Sequence, residues 1–226
     1  MKTIFMRENP YMKNRNKRIL MSTLGVIIAG VSVGFLKRAA FGVDPFQAFM
    51  SGLDSVVPID FGTLYVITSL FLLTFSLIAD RHYIGLGTFV TLLFQGYVID
   101  FSREVLFNLF PEPGLPCRIL FLFIGILILC LASSFYFTAD LGVSTYDAIS
   151  LIISDTWKKG KFKYNRIICD FVCVTLGSAM FLFSGGTLKD LTAMVGVGTI
   201  ITAFFMGPLI DFFNNHLAKP FLEGKK

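Results

Sequence analysis

Charge is scarce in this chain. Only 15% of its 226 residues are Asp, Glu, Lys or Arg, 54% are hydrophobic, and the mean hydropathy is +0.72. Soluble domains carry about 25% charged residues, so a soluble globular body is excluded. Histidine is nearly absent, with His82 in a tight loop and His216 near the tail. No Ser-His-Asp set, metal-ligand spacing or phosphate-cradling glycine loop occurs, so neither an enzyme nor a cofactor is expected. The four cysteines (Cys117, Cys130, Cys169, Cys173) lack metal or redox spacing and read as small apolar residues of a bundle. The first apolar run, from Ile19, has no small-residue cleavage site behind it, so no cleavable signal is expected. The formal net charge of +5 does not point to nucleic acid. The basic residues flank apolar runs, where an anionic lipid leaflet is the natural partner.

What the chain does have is apolar runs of membrane-spanning size, which need about 20 residues. Six are read, at 19–36, 63–78, 84–101, 119–137, 167–183 and 193–213. With the N-terminus inside, one side holds Lys2, Arg7, Lys13, Arg15, Lys17, Arg18, Arg81, Lys158, Lys159, Lys161, Lys163, Arg166, Lys219, Lys225 and Lys226. The other holds Lys37, Arg38, Arg103, Arg118 and Lys189. Cytoplasmic loops carry the excess of Lys and Arg, so both termini are expected in the cytoplasm of a multi-pass protein.

An internal repeat runs through these spans. Residues 84–101 and 195–212 share Gly85/Gly196, Gly87/Gly198, Thr88/Thr199, Thr91/Thr202, Phe94/Phe205, Gly96/Gly207, Ile99/Ile210, Asp100/Asp211 and Phe101/Phe212. Upstream, FGVDPFQA at 41–48 matches LGVSTYDA at 141–148. Three spans per copy is an odd number, so the second copy must enter the membrane from the opposite side. The expected fold is therefore all-α, six transmembrane helices in two inverted three-helix repeats. Its parts are a basic segment at 1–18, repeats at 19–116 and 117–213, and a tail at 214–226.

Asp44 followed by Pro45, and Ser144 three residues before Asp147, are helix-start signals. They predict short helices over 45–53 and 145–153, too short to span and so interfacial or re-entrant. Arg166 and Asp170, four apart at the start of the fifth span, share a helix face. Charges inside a span are costly and usually face the bundle interior. Asp170 is thus the foremost functional candidate, while Arg166 could snorkel into the headgroups. Further binding or coupling candidates are Asp44, Gln47, Asp147, Thr88, Thr199, Asp100 and Asp211, the last two as gates at opposite faces. Gly85, Gly87, Gly96, Gly196, Gly198 and Gly207 read as packing residues, since small residues let helices approach closely in lipid.

The stretches FGVDPFQAFMSGL and DFGTLYVITSLFLLTFSLIADRHYIGLGTFVTLLFQGYVIDF resemble the bacterial YczE branch of the YczE/YyaS/YitT integral membrane proteins. Arg166 to Asp170 resembles that branch's R-x-x-x-E motif, and Gly196 to Pro208 its G-V-G-T…G-P stretch. The resemblance covers residues 20–213 and implies the bacterial plasma membrane. Phe46-Gln47 stands where the branch usually has Trp-Asp, Ser144-Thr145-Tyr146-Asp147 where it has Gly-Pro-Arg-Asp, and Asp170 where it has Glu.

Inverted repeats are a recurrent plan of secondary transporters. The first expectation is a transporter or exporter of a small polar solute, anions included, working by alternating access. A second is a substrate-binding membrane subunit served by an ATPase, with Gly25, Gly30 and Gly34 offered to a partner helix. A third is a non-transporting scaffold whose loop at 158–163 docks a cytoplasmic enzyme. A homodimer or a membrane partner protein is compatible with each.

Overall fold

A computed structural model describes residues 14–160 and 162–223, and all regular structure in them is helical. In chain order the helices are α1 (Arg15–Ala39), α2 (Pro45–Asp54), α3 (Phe61–Ala79), α4 (Leu86–Leu109), α5 (Leu115–Ala139), α6 (Thr145–Leu151), α7 (Phe162–Phe183), α8 (Leu188–Met194), α9 (Val197–Phe213) and α10 (Lys219–Glu223). A π-helical turn, Ile152–Thr156, prolongs α6, and another, Asn214–Ala218, joins α9 to α10. Lys2, Arg7, Lys13, Lys161, Lys225 and Lys226 lie outside the described residues.

Among the described residues, five stretches are long and apolar enough to cross a membrane: Arg15–Ala39, Phe61–Ala79, Leu115–Ala139, Tyr164–Phe183 and Leu188–Glu223. They fit a multi-pass membrane protein. The remaining predicted span, α4, has 24 residues, ample length at about 1.5 Å per residue. Gln95, Asp100, Arg103 and Glu104 interrupt its apolar run. Most helices overrun the predicted spans because their polar ends stay helical. The predicted span at 193–213 is instead broken at Val195–Gly196. Large apolar side chains such as Phe71, Ile78, Phe171 and Phe183 are exposed on the outside of the bundle, as lipid-facing residues are.

The core is a tight antiparallel pair, α1 and α5. Cβ atoms added at Gly25 or Gly125 would lie 2.9 Å from the Ala132 carbonyl oxygen and 2.8 Å from the Leu36 side chain. Their ends are stapled by arginines. Arg18 donates to the Ala139 carbonyl at 2.8 Å, and Arg118 donates to those of Ala39 and Ala40, each at 2.8 Å. Gly30 packs on Val98 and Gly34 on Ser102, both in α4. Gly25, Gly30 and Gly34 are thus used inside the bundle, which removes the motive for offering them to a partner helix.

Positions 100 apart adopt the same backbone turn. Ala40 and Asp140 take left-handed caps, and Gly42 and Gly142 have φ of +97° and +99°. Glycine is needed there, since its lack of a Cβ permits positive φ and the backbone touches another helix start. Gly42 and Val43 donate to the carbonyls of Ala193 and Met194, and Gly198 donates to that of Phe41. In the other half, Gly87 donates to the Leu141 carbonyl and Val143 to that of Tyr83. Each bent segment is therefore embedded against the other half of the chain.

Candidate functional site

The two short helices start inside the bundle. Pro45, Phe46 and Gln47 of α2, and Thr145 and Tyr146 of α6, are buried. Asp44 caps α2 by accepting the Gln47 N–H at 3.2 Å, and Ser144 caps α6 by accepting the Asp147 N–H at 3.1 Å. The N-terminal turns meet through Phe46 and Tyr146, whose rings stack with centroids 4.7 Å apart. These residues are also 100 apart in sequence.

Around this stack lies a cavity of about 560 Å³. Its lining reaches an exposed rim at Phe137, Phe162 and Asp211. On its wall sits an ion-pair network. The Arg166 guanidinium contacts Asp147 Oδ1 directly, and its Nε lies 3.2 Å from Asp170 Oδ1. The Tyr146 hydroxyl donates to Asp170 Oδ1 at 2.6 Å, and the Ser144 hydroxyl donates to Asp147 Oδ2 at 2.7 Å. The guanidinium also covers the Tyr146 ring, 4.4 Å from its centroid. Asp170 is only 6% exposed. A carboxylate so buried is tolerable only when paired and hydrogen-bonded, and two partners do this. Arg166 therefore turns inward instead of snorkelling to the headgroups.

The structure brings Asp44, Gln47, Asp147, Arg166 and Asp170 to one cavity, with Asp211 at its rim. Lys219, eight residues further on, bonds Asn215 at 2.8 Å. Thr88 does not join the cavity. It is fully buried, donates to the Val143 carbonyl at 2.6 Å and accepts the Gly85 N–H at 3.2 Å. Thr199 accepts the Gly196 N–H in the same way and lines a smaller, largely apolar cavity of about 350 Å³. The threonines of the large cavity are their neighbours Thr91 and Thr202.

Asp100 lies away from this cavity, in a cluster at the end of α2. Arg103 Nη2 is 2.6 Å from Asp100 and its Nη1 3.8 Å from Asp54, while Lys37 Nζ sits 3.7 Å above the Phe61 ring. Of the glycines read as packing residues, five are tight. Added Cβ atoms would lie 2.3 Å from an atom at Gly85, 2.9 Å at Gly87, 2.5 Å at Gly96, 2.6 Å at Gly196 and 2.4 Å at Gly198. Gly207 differs: a Cβ there meets nothing within 4 Å, and the residue lines the cavity. The repeat made it look like Gly96, but α9 lacks at that point the neighbour that Tyr65 provides in the first half.

Residues 16–215 match the family of unknown function DUF6198. The chain belongs to that family. It is 25% identical over 200 residues to the uncharacterised protein YyaS of Bacillus subtilis, spanning 88% of this chain and 94% of that one. It is 24% identical over 204 residues to an uncharacterised protein of Haemophilus influenzae, spanning 90% and 86%. YyaS is one of the names carried by the family that the sequence resembles. No solved structure matches the chain. Within this DUF6198 member, sequence reading missed Phe46, Tyr65, Tyr136 and Tyr146 as site residues. The signal for two of them was available, since Phe46 and Tyr146 occupy equivalent places in the repeated octapeptides.

Proposed function

We propose that this DUF6198 protein is a secondary transporter of a small polar solute, working by alternating access in the bacterial plasma membrane. In this reading α4 is the sixth span, the halves 19–116 and 117–213 are inverted repeats, and both termini are cytoplasmic. The observation that carries it is the meeting of two helix starts, at Phe46 and Tyr146, beside a cavity holding a buried Arg166–Asp147–Asp170 network. Solute sites of inverted-repeat transporters lie near the midplane at such helix breaks, and intramembrane ionisable residues there are functional by default.

The two ends of the bundle support the alternation. At one end α2 is pressed on α7, where a Cβ on Gly52 would lie 2.2 Å from the Gly177 carbonyl oxygen, and Arg103 ties α4 to Asp54 of α2. At the other end the cavity rim is exposed. Rocking one half against the other would loosen the α2–α7 seam and close the rim. The test is uptake by proteoliposomes of the purified protein, using a panel of labelled amines, amino acids and carboxylates. One class should be taken up saturably, and Asp170→Asn should cut that uptake at least about tenfold, the scale of about 1.4 kcal/mol. Uptake unchanged in Asp170→Asn removes Asp170 from the mechanism. No uptake of any class by folded protein overturns transport.

A further inference from the structure

The two halves of the cavity treat charge differently. Position 44 is Asp where 144 is Ser, and position 47 is Gln where 147 is Asp. On the α6 side Asp147 holds the chain's own cation, Arg166, which covers the Tyr146 ring. On the α2 side no cation stands in the equivalent place. The matching stretch of α3, from Leu64 to Val66, carries Leu, Tyr and Val. Arg166 is the only basic residue lining the cavity among the described residues.

The α2 side nevertheless presents acceptors. Gln47 is 2% exposed, lines the cavity, and its Oε1 has no hydrogen-bond partner. Asp44 accepts the Gln47 amide and forms no ion pair among the described residues. Buried Tyr65 and Tyr136 line the same space. One guanidinium thus faces the carboxylates of Asp44, Asp147 and Asp170, with that of Asp211 at the rim. An acceptor without a donor and a carboxylate without a cation are both costly away from water.

We propose that the α2 side of the cavity binds an organic ammonium ion, which occupies the place that Arg166 fills on the α6 side. Its N–H groups bond the Asp44 carboxylate and Gln47 Oε1, and the aromatic wall contributes cation–π attraction. An anion is disfavoured. The helix-start amides that would attract one are already taken by Asp44 and Ser144, and the carboxylates repel it. A bare metal ion lacks ligands, since no group of three His, Cys, Asp or Glu among the described residues is placed to hold one. The volume of about 560 Å³ lies in the range that takes drug-sized solutes. The inference rests on the repeat reading of the preceding section for the equivalence of the two sides.

The test is binding of phenethylamine, cationic at neutral pH, to the detergent-purified full chain by calorimetry and thermal unfolding. Its comparators are 3-phenylpropionate and 3-phenyl-1-propanol. The amine should bind saturably and raise the Tm, and the two comparators should do neither. Asp44→Asn and Gln47→Leu should each weaken the amine at least tenfold, and the surface variant Asp190→Asn should leave it unchanged. Gln47→Leu also removes an unpartnered acceptor, so its ligand-free protein should unfold at or above the wild-type Tm. Equal response to all three compounds, preference for the carboxylate, or full affinity in Gln47→Leu overturns the proposal. Saturable amine binding without uptake into proteoliposomes overturns transport and leaves the site standing. Uptake of another solute that phenethylamine does not inhibit overturns the ammonium class and leaves transport standing.

Discussion

Arg166 holds two carboxylates with one guanidinium, and its planar fork lets it do so. Replacing it by Gln would leave Asp147 and Asp170 facing each other without a counter-charge. Breaking a buried pair this way costs about 3–5 kcal/mol, so Arg166→Gln should lower the Tm in detergent markedly. Arg166→Lys should recover only part of it, since an ammonium is a point charge and cannot span both acids. Asp147→Asn should cost less than Arg166→Gln, because Asp170 keeps its cation. Tyr146→Phe removes one hydrogen bond to the Asp170 carboxylate, worth about 1.5–3 kcal/mol, and retains the stack on Phe46. A Tm near wild type with altered uptake would separate the hydroxyl's role at the site from its role in folding.

Outside the spans, Asp80 accepts the Thr156 hydroxyl at 2.6 Å and the His82 N–H at 2.9 Å. These bonds, the Thr156 one first, hold its carboxyl below the usual range. A depressed carboxyl contributes stability above its unfolded value, about 3.9, and loses it as the pH falls through the folded value. The Tm gap between wild type and Asp80→Asn should therefore be full at neutral pH and shrink below about pH 4. A gap that is constant from pH 7 to pH 3 would show that the bond to Thr156 does not form.

At the scale of elements, the α2–α7 seam depends on two glycines. Cβ atoms on Gly52 or Gly177 would meet the facing backbone at 2.2 Å and 2.6 Å, and backbone cannot step aside as a side-chain tip can. Gly52→Ala and Gly177→Ala should each destabilise by more than about 1–3 kcal/mol, the usual cost of overpacking. Gly207→Ala should be neutral or stabilising by up to about 1 kcal/mol, since it meets open space and gains helix propensity. Thermal unfolding of the three variants side by side checks the order. Much of the element level was legible in the sequence. Asp44-Pro45 and Ser144 with Asp147 marked two helix starts, and both are where the caps form. The seam was not legible, because Gly52 and Gly177 lie outside the repeated stretches and are 125 residues apart. Arg166 and Asp170 were visible as a pair at helical spacing. Their bonds to Asp147 and Tyr146 were not, because they require α6 to turn inward.

For the whole molecule, the repeat was visible as identities, but the reciprocal contacts it produces were not. Sequence shows that 41–48 resembles 141–148, and not that each segment is bonded to the opposite half. The proposed inversion makes a topological prediction. Single cysteines placed at Glu112 and Ser184, in a chain lacking Cys117, Cys130, Cys169 and Cys173, should react with an impermeant maleimide from one side of the membrane. Cysteines at His82 and Asp155 should react from the other. Labelling of all four from one side would rule out the inversion.

The reciprocal embedding sets a timetable for biogenesis. Gly42 is bonded to Ala193, and α2 lies on α7. At ribosomal rates of about 5–20 residues per second, Gly42 waits roughly eight to thirty seconds for Ala193. During that interval Asp44 and Gln47 sit in lipid or at the insertion machinery without the cavity that later shelters them. A chain cut between Glu112 and Leu115 and expressed as two pieces should accumulate only when both pieces are made together, each protecting the other from quality-control proteolysis.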